Sequence, residues 1–380
     1  MRISILLTLL LSSLTIQGQT FIKSFTFDGV VRSYRIFIPS NYDPLNEYPL
    51  VFNLHGNGSS ASQQEPYSQM NLIADTANFI VVYPDGISNT WNSGFNVPYN
   101  SGTNDVGFIS ALIDTVSANY TINSQRVYSC GMSMGGFMSY RLACELNGRI
   151  AAIASVTGLM SVQLPQNCQQ QKEVPVLQIH GTDDATVLYN GTSWHTSVNA
   201  TVDFWIQKNN CPTTAIVTNM PDIVNEGSTV VKYYYGPCTN NSEVVLFKVE
   251  GGGHTWPGDI AVPSLGNTNQ DIKASIEIWK FFSRHELALP TSVIHTKLSK
   301  GNSIIIAPNP VNDKLNLSFS ETEQEKIISV FNSKAVLVHT QTVAPSISST
   351  AIDLTTFPTG LYLVVINNGE SKEVVKVVKK

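Results

Sequence analysis

One arrangement constrains this chain more than any other. Apolar strand segments, each closed by a glycine-containing turn, are separated by stretches with a helical period. PLVFNLHG (Pro49 to Gly56), FIVVYPDG (Phe79 to Gly86), RVYSCGMS (Arg126 to Ser133) and VPVLQIHG (Val174 to Gly181) are rich in β-branched and aliphatic residues without strict alternation. A strand apolar on both faces must be covered on both, which makes the sheet mainly parallel. Asp105 to Tyr120 places Phe108, Leu112, Val116 and Tyr120 on one helical face. Strands alternating with such helices predict an α/β domain of the doubly wound type over residues 19–287.

The pattern changes after Leu287. Residues 288–302 read as a polar linker, and from Ser303 to Lys380 short strands alternate with turns and no helical period survives. A small all-β sandwich is expected there. Its lone His339 reads as a surface residue rather than a ligand.

At the N-terminus, Arg2 precedes an apolar run from Ile3 to Leu14, then small and polar residues at Gly18 to Thr20. This is the pattern of a signal peptide over residues 1–18, too short for a comfortable membrane span. No later segment is long and apolar enough to be an integral membrane helix, so the mature chain is expected to be soluble. Export permits disulfides. Cys211 and Cys238 bracket a proline-rich loop and are expected to pair, and Cys144 and Cys168 offer a second bridge. Cys130, inside an apolar strand, reads as a buried free thiol, although spacing alone leaves the connectivity open. The net charge of −5 with scattered Lys and Arg excludes the concentrated basic surface that nucleic acid requires.

The sharpest chemical signal is Gly131-Met132-Ser133-Met134-Gly135, a G-x-S-x-G sequence between a strand and a helical stretch. A tight strand-to-helix turn lifts such a serine above the sheet edge as a nucleophile. The hydroxyl needs a base and the base an orienting carboxylate, here in the chain order Ser, acid, His. Asp183 and Asp184 follow the strand ending at Gly181, and we favour Asp184 as the acid, with Asp183 solvated or capping a turn. His254 follows Gly251-Gly252-Gly253 on a loop after another strand and is the expected base. The remaining histidines are weaker candidates: His55 and His180 as loop-holding groups, His195 near a helix start, His285 facing solvent. Backbone N–H groups of Met134 and Asn57 are expected to form the oxyanion hole. Trp91 and Trp256 are candidates for stacking on a sugar or aromatic acid, with core packing the alternative. Asp105 reads as a helix-start cap. Cys and His spacing fits no zinc site, and serine-based ester hydrolysis calls for no cofactor and no metal.

The segments LHGNGSS, DVGFISALID, RVYSCGMSMGGFMSYRLACE, VPVLQIHGTDD and GGGHTWPG resemble the secreted polyhydroxybutyrate depolymerase-like esterases, which are similar to the carbohydrate esterase family 1 feruloyl and acetylxylan esterases. The resemblance covers roughly residues 24–287 and implies an α/β-hydrolase fold acting on esters of plant polysaccharides or polyesters. It places the acid at Asp184, the nucleophile at Ser133 and the base at His254. The chain departs from the family in lacking a proline soon after Asp184 and in its polar loop after His55, which puts substrate choice in question. APNPVNDKLNLSF, DLTTFPTGLYLVVI and KVVKK resemble the sorting domain of the type IX secretion system, which implies that machinery as a partner and a secreted or cell-surface destination. The expectation is therefore a serine esterase of feruloyl or acetyl xylan esters. The alternatives are a polyhydroxyalkanoate or other polyester depolymerase, or a non-catalytic polysaccharide-binding surface protein.

Overall fold

In the computed structural model the described residues are 18–94, 102–169, 172–287, 294–297, 303–319, 324–332, 336–367 and 372–380. The expected signal peptide lies, except for Gly18, outside them. The chain divides into two compact units, Met1–Leu287 and Ala288–Lys380.

The large unit is built on a ten-stranded sheet. Its strands are β1 (Gln19–Phe27), β2 (Val30–Ile38), β3 (Tyr48–Leu54), β4 (Ile80–Pro84), β5 (Ile122–Met132), β6 (Ala152–Val156), β7 (Val176–Gly181), β8 (Ile216–Asn219), β9 (Thr229–Tyr235) and β10 (Val244–Glu250), in the order β1-β2-β4-β3-β5-β6-β7-β10-β9-β8. From β4 to β10 every neighbouring pair is parallel; the strands outside them run antiparallel. Every residue of β3, β4, β6 and β7 is buried, which is why these strands lack alternation.

Helices cover both faces. On one side α3 (Asp105–Ser117), α4 (Met134–Glu145), α5 (Leu164–Asn167) and α6 (Val198–Lys208) bring Phe108, Phe137, Leu164 and Trp205 into a core with Phe52 and Leu54. On the other, α1 (Ala61–Ser68), α2 (Met70–Ala77) and α7 (Ala274–Phe282) bring Ala61, Ala74 and Phe281 against Val51, Tyr128 and Phe247. Helix α3 follows its sequence pattern: the Asn104 side chain caps it by accepting from Gly107 N at 3.0 Å, and Phe108, Leu112 and Val116 are buried with Ile109 and Ile113. Burying the Phe108 ring contributes about 2–3 kcal/mol. Asp105 does more than cap. Its buried carboxylate takes a 2.8 Å ion pair from Arg32, whose guanidinium lies 3.6 Å over Phe108, and it also accepts from Asn92 N and Thr103 Oγ1.

Cys144 is bonded to Cys168 and Cys211 to Cys238, while Cys130 is free and buried in β5, where burial drives its thiol pKa far up. His285 does not face solvent as its helix-end position predicted. It is buried, with Nε2 3.0 Å from Glu243 Oε1, because the chain after α7 turns back across the sheet and Tyr128 donates to the His285 carbonyl.

The second unit holds two four-stranded antiparallel sheets. One is β11 (Ile294–Lys297), β12 (Ser303–Ala307), β13 (Lys314–Phe319) and β16 (Ser349–Asp353); the other is β15 (Leu337–Val343), β14 (Lys326–Asn332), β17 (Gly360–Asn367) and β18 (Lys372–Lys379). Strict alternation now returns: Leu315, Leu317 and Phe319 of β13 point inward and their neighbours outward. They share a core with Val330 and Val364 of the facing sheet. The span read as linker is partly structured, since β11 lies within it and pairs with β12. His339 is half-buried beside Phe357.

Candidate active site

In a parallel sheet all carboxyl ends lie at one edge, so loops far apart in sequence converge there. This edge receives the loops after β3, β5, β7 and β10, which carry Asn57, Ser133, Asp184 and His254.

Ser133 sits between β5 and α4 with φ 53° and ψ −120°, a conformation that costs roughly 1–3 kcal/mol and persists only where its surroundings over-determine it. Its N–H donates to Val156 O at 2.8 Å and its carbonyl accepts from Phe137 N at 3.0 Å. The glycines of the motif answer to contact distances. A Cβ at Gly135 would lie 2.1 Å from Leu54 O, and one at Gly131 2.5 Å from the Gly135 carbonyl carbon. Helix α4 therefore starts directly against the end of β3, and the loop after β3 passes the serine: a Cβ on Gly56 would be 3.4 Å from Ser133 Cβ.

That loop is held by His55. Its Nε2 accepts from Gly86 N at 3.0 Å, so the proton is on Nδ1, which donates to Gly56 O at 2.7 Å. Burial lowers the His55 pKa, which keeps the ring neutral in this role. Trp91 donates from Nε1 to His55 O at 2.9 Å.

His254 Nδ1 lies 2.8 Å from Asp184 Oδ2, and Asp184 Oδ1 accepts from Thr186 N and Val187 N, each at 2.8 Å. The carboxylate fixes the tautomer by accepting the hydrogen bond of Nδ1–H, which leaves Nε2 as the basic nitrogen. Burial works to raise the Asp184 pKa, but the hydrogen bond and charge of His254, then His180 and the Val187 N–H, outweigh it and hold the pKa below the usual carboxylate value. Asp183 is exposed; its carboxylate accepts from Thr182 Oγ1 at 3.1 Å, and its N–H donates to Gly252 O at 3.0 Å in the loop that carries His254.

Ser133 and His254 line one cavity of about 680 Å³ with Gly56, Asn57 and Met132. One part of its wall is polar, from Ser59, Ser62 and Gln63; another is apolar, from Ile260, Val262 and Leu265. Tyr67 completes it and accepts from Trp256 N at 3.1 Å, tying α1 to the loop that carries His254. Burial raises the Tyr67 pKa, so the phenol keeps its proton.

The two tryptophans offered as substrate platforms are corrected. Trp91 and Trp256 are 3% and 1% exposed, neither lines the cavity, and each indole N–H is used internally, Trp256 donating to Ser275 Oγ at 3.1 Å. An indole buried on both faces braces the loops and has no plane to offer a sugar. Sequence reasoning passed over Tyr67 and the Ile260–Leu265 strap, which no motif marks, and read His180 only as a loop-holding group. Among the described residues no group of side chains fits a metal ion.

Comparison with known proteins fits this architecture. The catalogued acetyl xylan esterase structure from Aspergillus awamori superposes with a TM-score of 0.51 at 13% identity, covering 69% of this chain and 99% of that one. The large unit has the α/β-hydrolase fold. Residues 32–168 of the chain match the family model described as esterase PHB depolymerase, and residues 305–380 match the secretion system C-terminal sorting domain. Relatives of the chain include the bifunctional acetylxylan esterase/xylanase XynS20E of Neocallimastix patriciarum, 30% identical over 267 residues, which are 70% of this chain and 35% of that protein. Feruloyl esterase D of Neurospora crassa is 29% identical over 280 residues, covering 70% of this chain and 86% of its own length. The match thus spans about a third of the first relative's length. The small unit is a secretion sorting domain, and the chain is a secreted one. No helix among the described residues is long and apolar enough to cross a membrane.

Proposed function

We propose that the hydrolase cleaves carboxylic esters through an acyl-enzyme, acting on feruloyl or acetyl groups of plant cell-wall polysaccharide. Ser133 Oγ attacks the ester carbonyl while His254 Nε2 takes its proton; the proton then passes to the leaving alcohol, and water repeats the sequence in reverse. Asp184 holds the ring and stabilises its charged form. The oxyanion is met by the backbone N–H of Met134, at the start of α4, and that of Asn57. The observation that carries this reading is a serine in a left-handed turn at the mouth of a cavity it shares with a histidine whose other nitrogen is held by a buried carboxylate. The two parts of the wall suit the substrate class: hydroxyl-rich sugar against Ser59, Ser62 and Gln63, and an apolar or aromatic acyl group against Ile260 and Val262.

The matched family's description favours one second reading, a polyester depolymerase. Type IX passage across the outer membrane, guided by residues 303–380, would deliver either activity outside the cell or to its surface. The test is hydrolysis of methyl ferulate, acetylated xylan, nitrophenyl butyrate and polyhydroxybutyrate by wild type and Ser133→Ala. Ferulate or acetate release that falls on the order of 10⁴-fold or more in the variant is the expected result. Serine-dependent activity on the polyester alone would move the assignment there, and none on any substrate would leave a polysaccharide-binding protein.

A further inference from the structure

The Asp184 carboxylate is approached by a second imidazole, which the mechanism above does not use. His180 Nε2 lies 3.4 Å from Asp184 Oδ2 and 2.8 Å from Val187 O, and the ring is fully buried. Behind it runs a chain of buried polar groups. Tyr140 donates from its hydroxyl to Gln178 Oε1 at 2.6 Å, which turns the Gln178 amide nitrogen toward His180 Nδ1 at 3.1 Å. Nδ1 therefore accepts, and the single proton of the neutral ring sits on Nε2, between the Val187 carbonyl and the carboxylate. Tyr140, Gln178 and His180 are all without solvent exposure.

We propose that His180 is a positioning residue for Asp184, its tautomer set by the Tyr140–Gln178 relay. The proposal rests on the reading of Asp184 as the acid of a serine hydrolase. The carboxylate is held at Oδ1 by two backbone N–H groups and at Oδ2 by His254, and the His180 N–H, donated to Val187 O, lies beside Oδ2 at 3.4 Å and limits its rotation. The fixed N–H dipole also stabilises its charge in a buried site, where such dipoles act strongly. By drawing on that charge, His180 moderates the pull of Asp184 on the proton of His254.

The surroundings keep His180 a dipole rather than a cation. Burial lowers its pKa to about 4, against the opposing influence of Asp184 and Val187 O. His254 faces it across the carboxylate, and His195 faces it from the segment ahead of α6. Tyr189 meets the ring edge-on with centroids 5.9 Å apart. Lys248, its register partner on β10, sends its ammonium to Glu250 at 2.6 Å and over the Tyr189 ring at 5.7 Å.

The test measures kcat and KM for nitrophenyl butyrate across pH for the full chain, with fluorophosphonate labelling of Ser133 to count active sites. In His180→Leu the acid limb of kcat/KM is expected to move upward by about 0.5–1 pH unit, since an unmoderated carboxylate holds the His254 proton more tightly. The kcat per labelled site falls about tenfold with KM nearly unchanged, the pattern of lost transition-state stabilisation. His180→Gln, which offers an N–H at a similar reach, returns the limb most of the way, and Tyr140→Phe gives a smaller upward shift. An unmoved limb in His180→Leu, or a glutamine variant no better than leucine, overturns the proposal. Should the leucine variant not fold, an unmoved limb in Tyr140→Phe overturns it. If wild type shows no Ser133-dependent hydrolysis, the serine-hydrolase reading itself falls and takes this proposal with it.

Discussion

Asp184→Asn changes one atom, and the structure determines what that atom does. In the wild type Oδ1 accepts from Thr186 N and Val187 N at 2.8 Å each, and Oδ2 accepts from His254 Nδ1 at 2.8 Å. An asparagine has one acceptor oxygen. Turned toward His254, it would aim its NH2 at two fixed backbone donors and leave both N–H groups without a partner, the buried Val187 N–H at about 1–3 kcal/mol. The oxygen therefore stays with the loop and the NH2 faces His254 Nδ1. That nitrogen must then accept, and the ring's proton moves to Nε2, the position that has to receive the serine proton. The wrong tautomer is worth roughly 10³–10⁴ in kcat, or about 4–5.5 kcal/mol of barrier. The assay is kcat on nitrophenyl butyrate at pH 7 and above, with the denaturation midpoint followed in parallel. The expected variant is folded, close to wild type in KM, and slow. An asparagine enzyme with more than a tenth of the wild-type kcat would refute the reasoning, because either its amide has turned or Asp184 does not orient the base.

Three further outcomes follow from other contacts. Gly135→Ala places a Cβ 2.1 Å from Leu54 O and 2.8 Å from His55 O, both backbone atoms unable to step aside. It should cost about 3 kcal/mol by urea denaturation and lower kcat on the order of 100-fold as the Asn57 loop is displaced. Asp184 and Glu243 are partly desolvated, which would raise their pKa, yet their hydrogen bonds to His254 and to His285 and Arg284 leave both lowered. Lowered carboxylates contribute stability above their unfolded values and lose it as pH falls through the folded ones, so the urea midpoint should hold near neutrality and drop in acid. Replacing Cys144 and Cys168 together opens a loop with a sequence separation of 24, which chain entropy values at roughly 3.5 kcal/mol, read as a lower unfolding midpoint with hydrolysis preserved below it.

What the sequence determined by itself is local. Strand segments buried on both faces cannot alternate, so β3, β4 and β7 declare a covered parallel sheet, while the alternation of β13 declares a sandwich. Helix α3 is readable because Asn104 caps it and its apolar stripe repeats at helical spacing. Ser133 is readable because a glycine-flanked turn between strand and helix is one continuous stretch of chain. The partners of these groups belong to the tertiary structure. Trp91 and Trp256 look alike in the sequence to surface platforms, and only the packing of distant segments shows both indoles enclosed. His285 ends an amphipathic helix, yet Glu243, which is remote in sequence, meets it in the interior. Tyr67 and the Ile260–Leu265 strap become parts of one cavity wall only when the sheet brings α1 beside the loop after β10. His180 carries no sign of its tautomer until Tyr140 and Gln178 are stacked behind it. A residue's neighbours along the chain set its backbone, but its burial and hydrogen-bond partners come from elements that only the folded sheet makes adjacent.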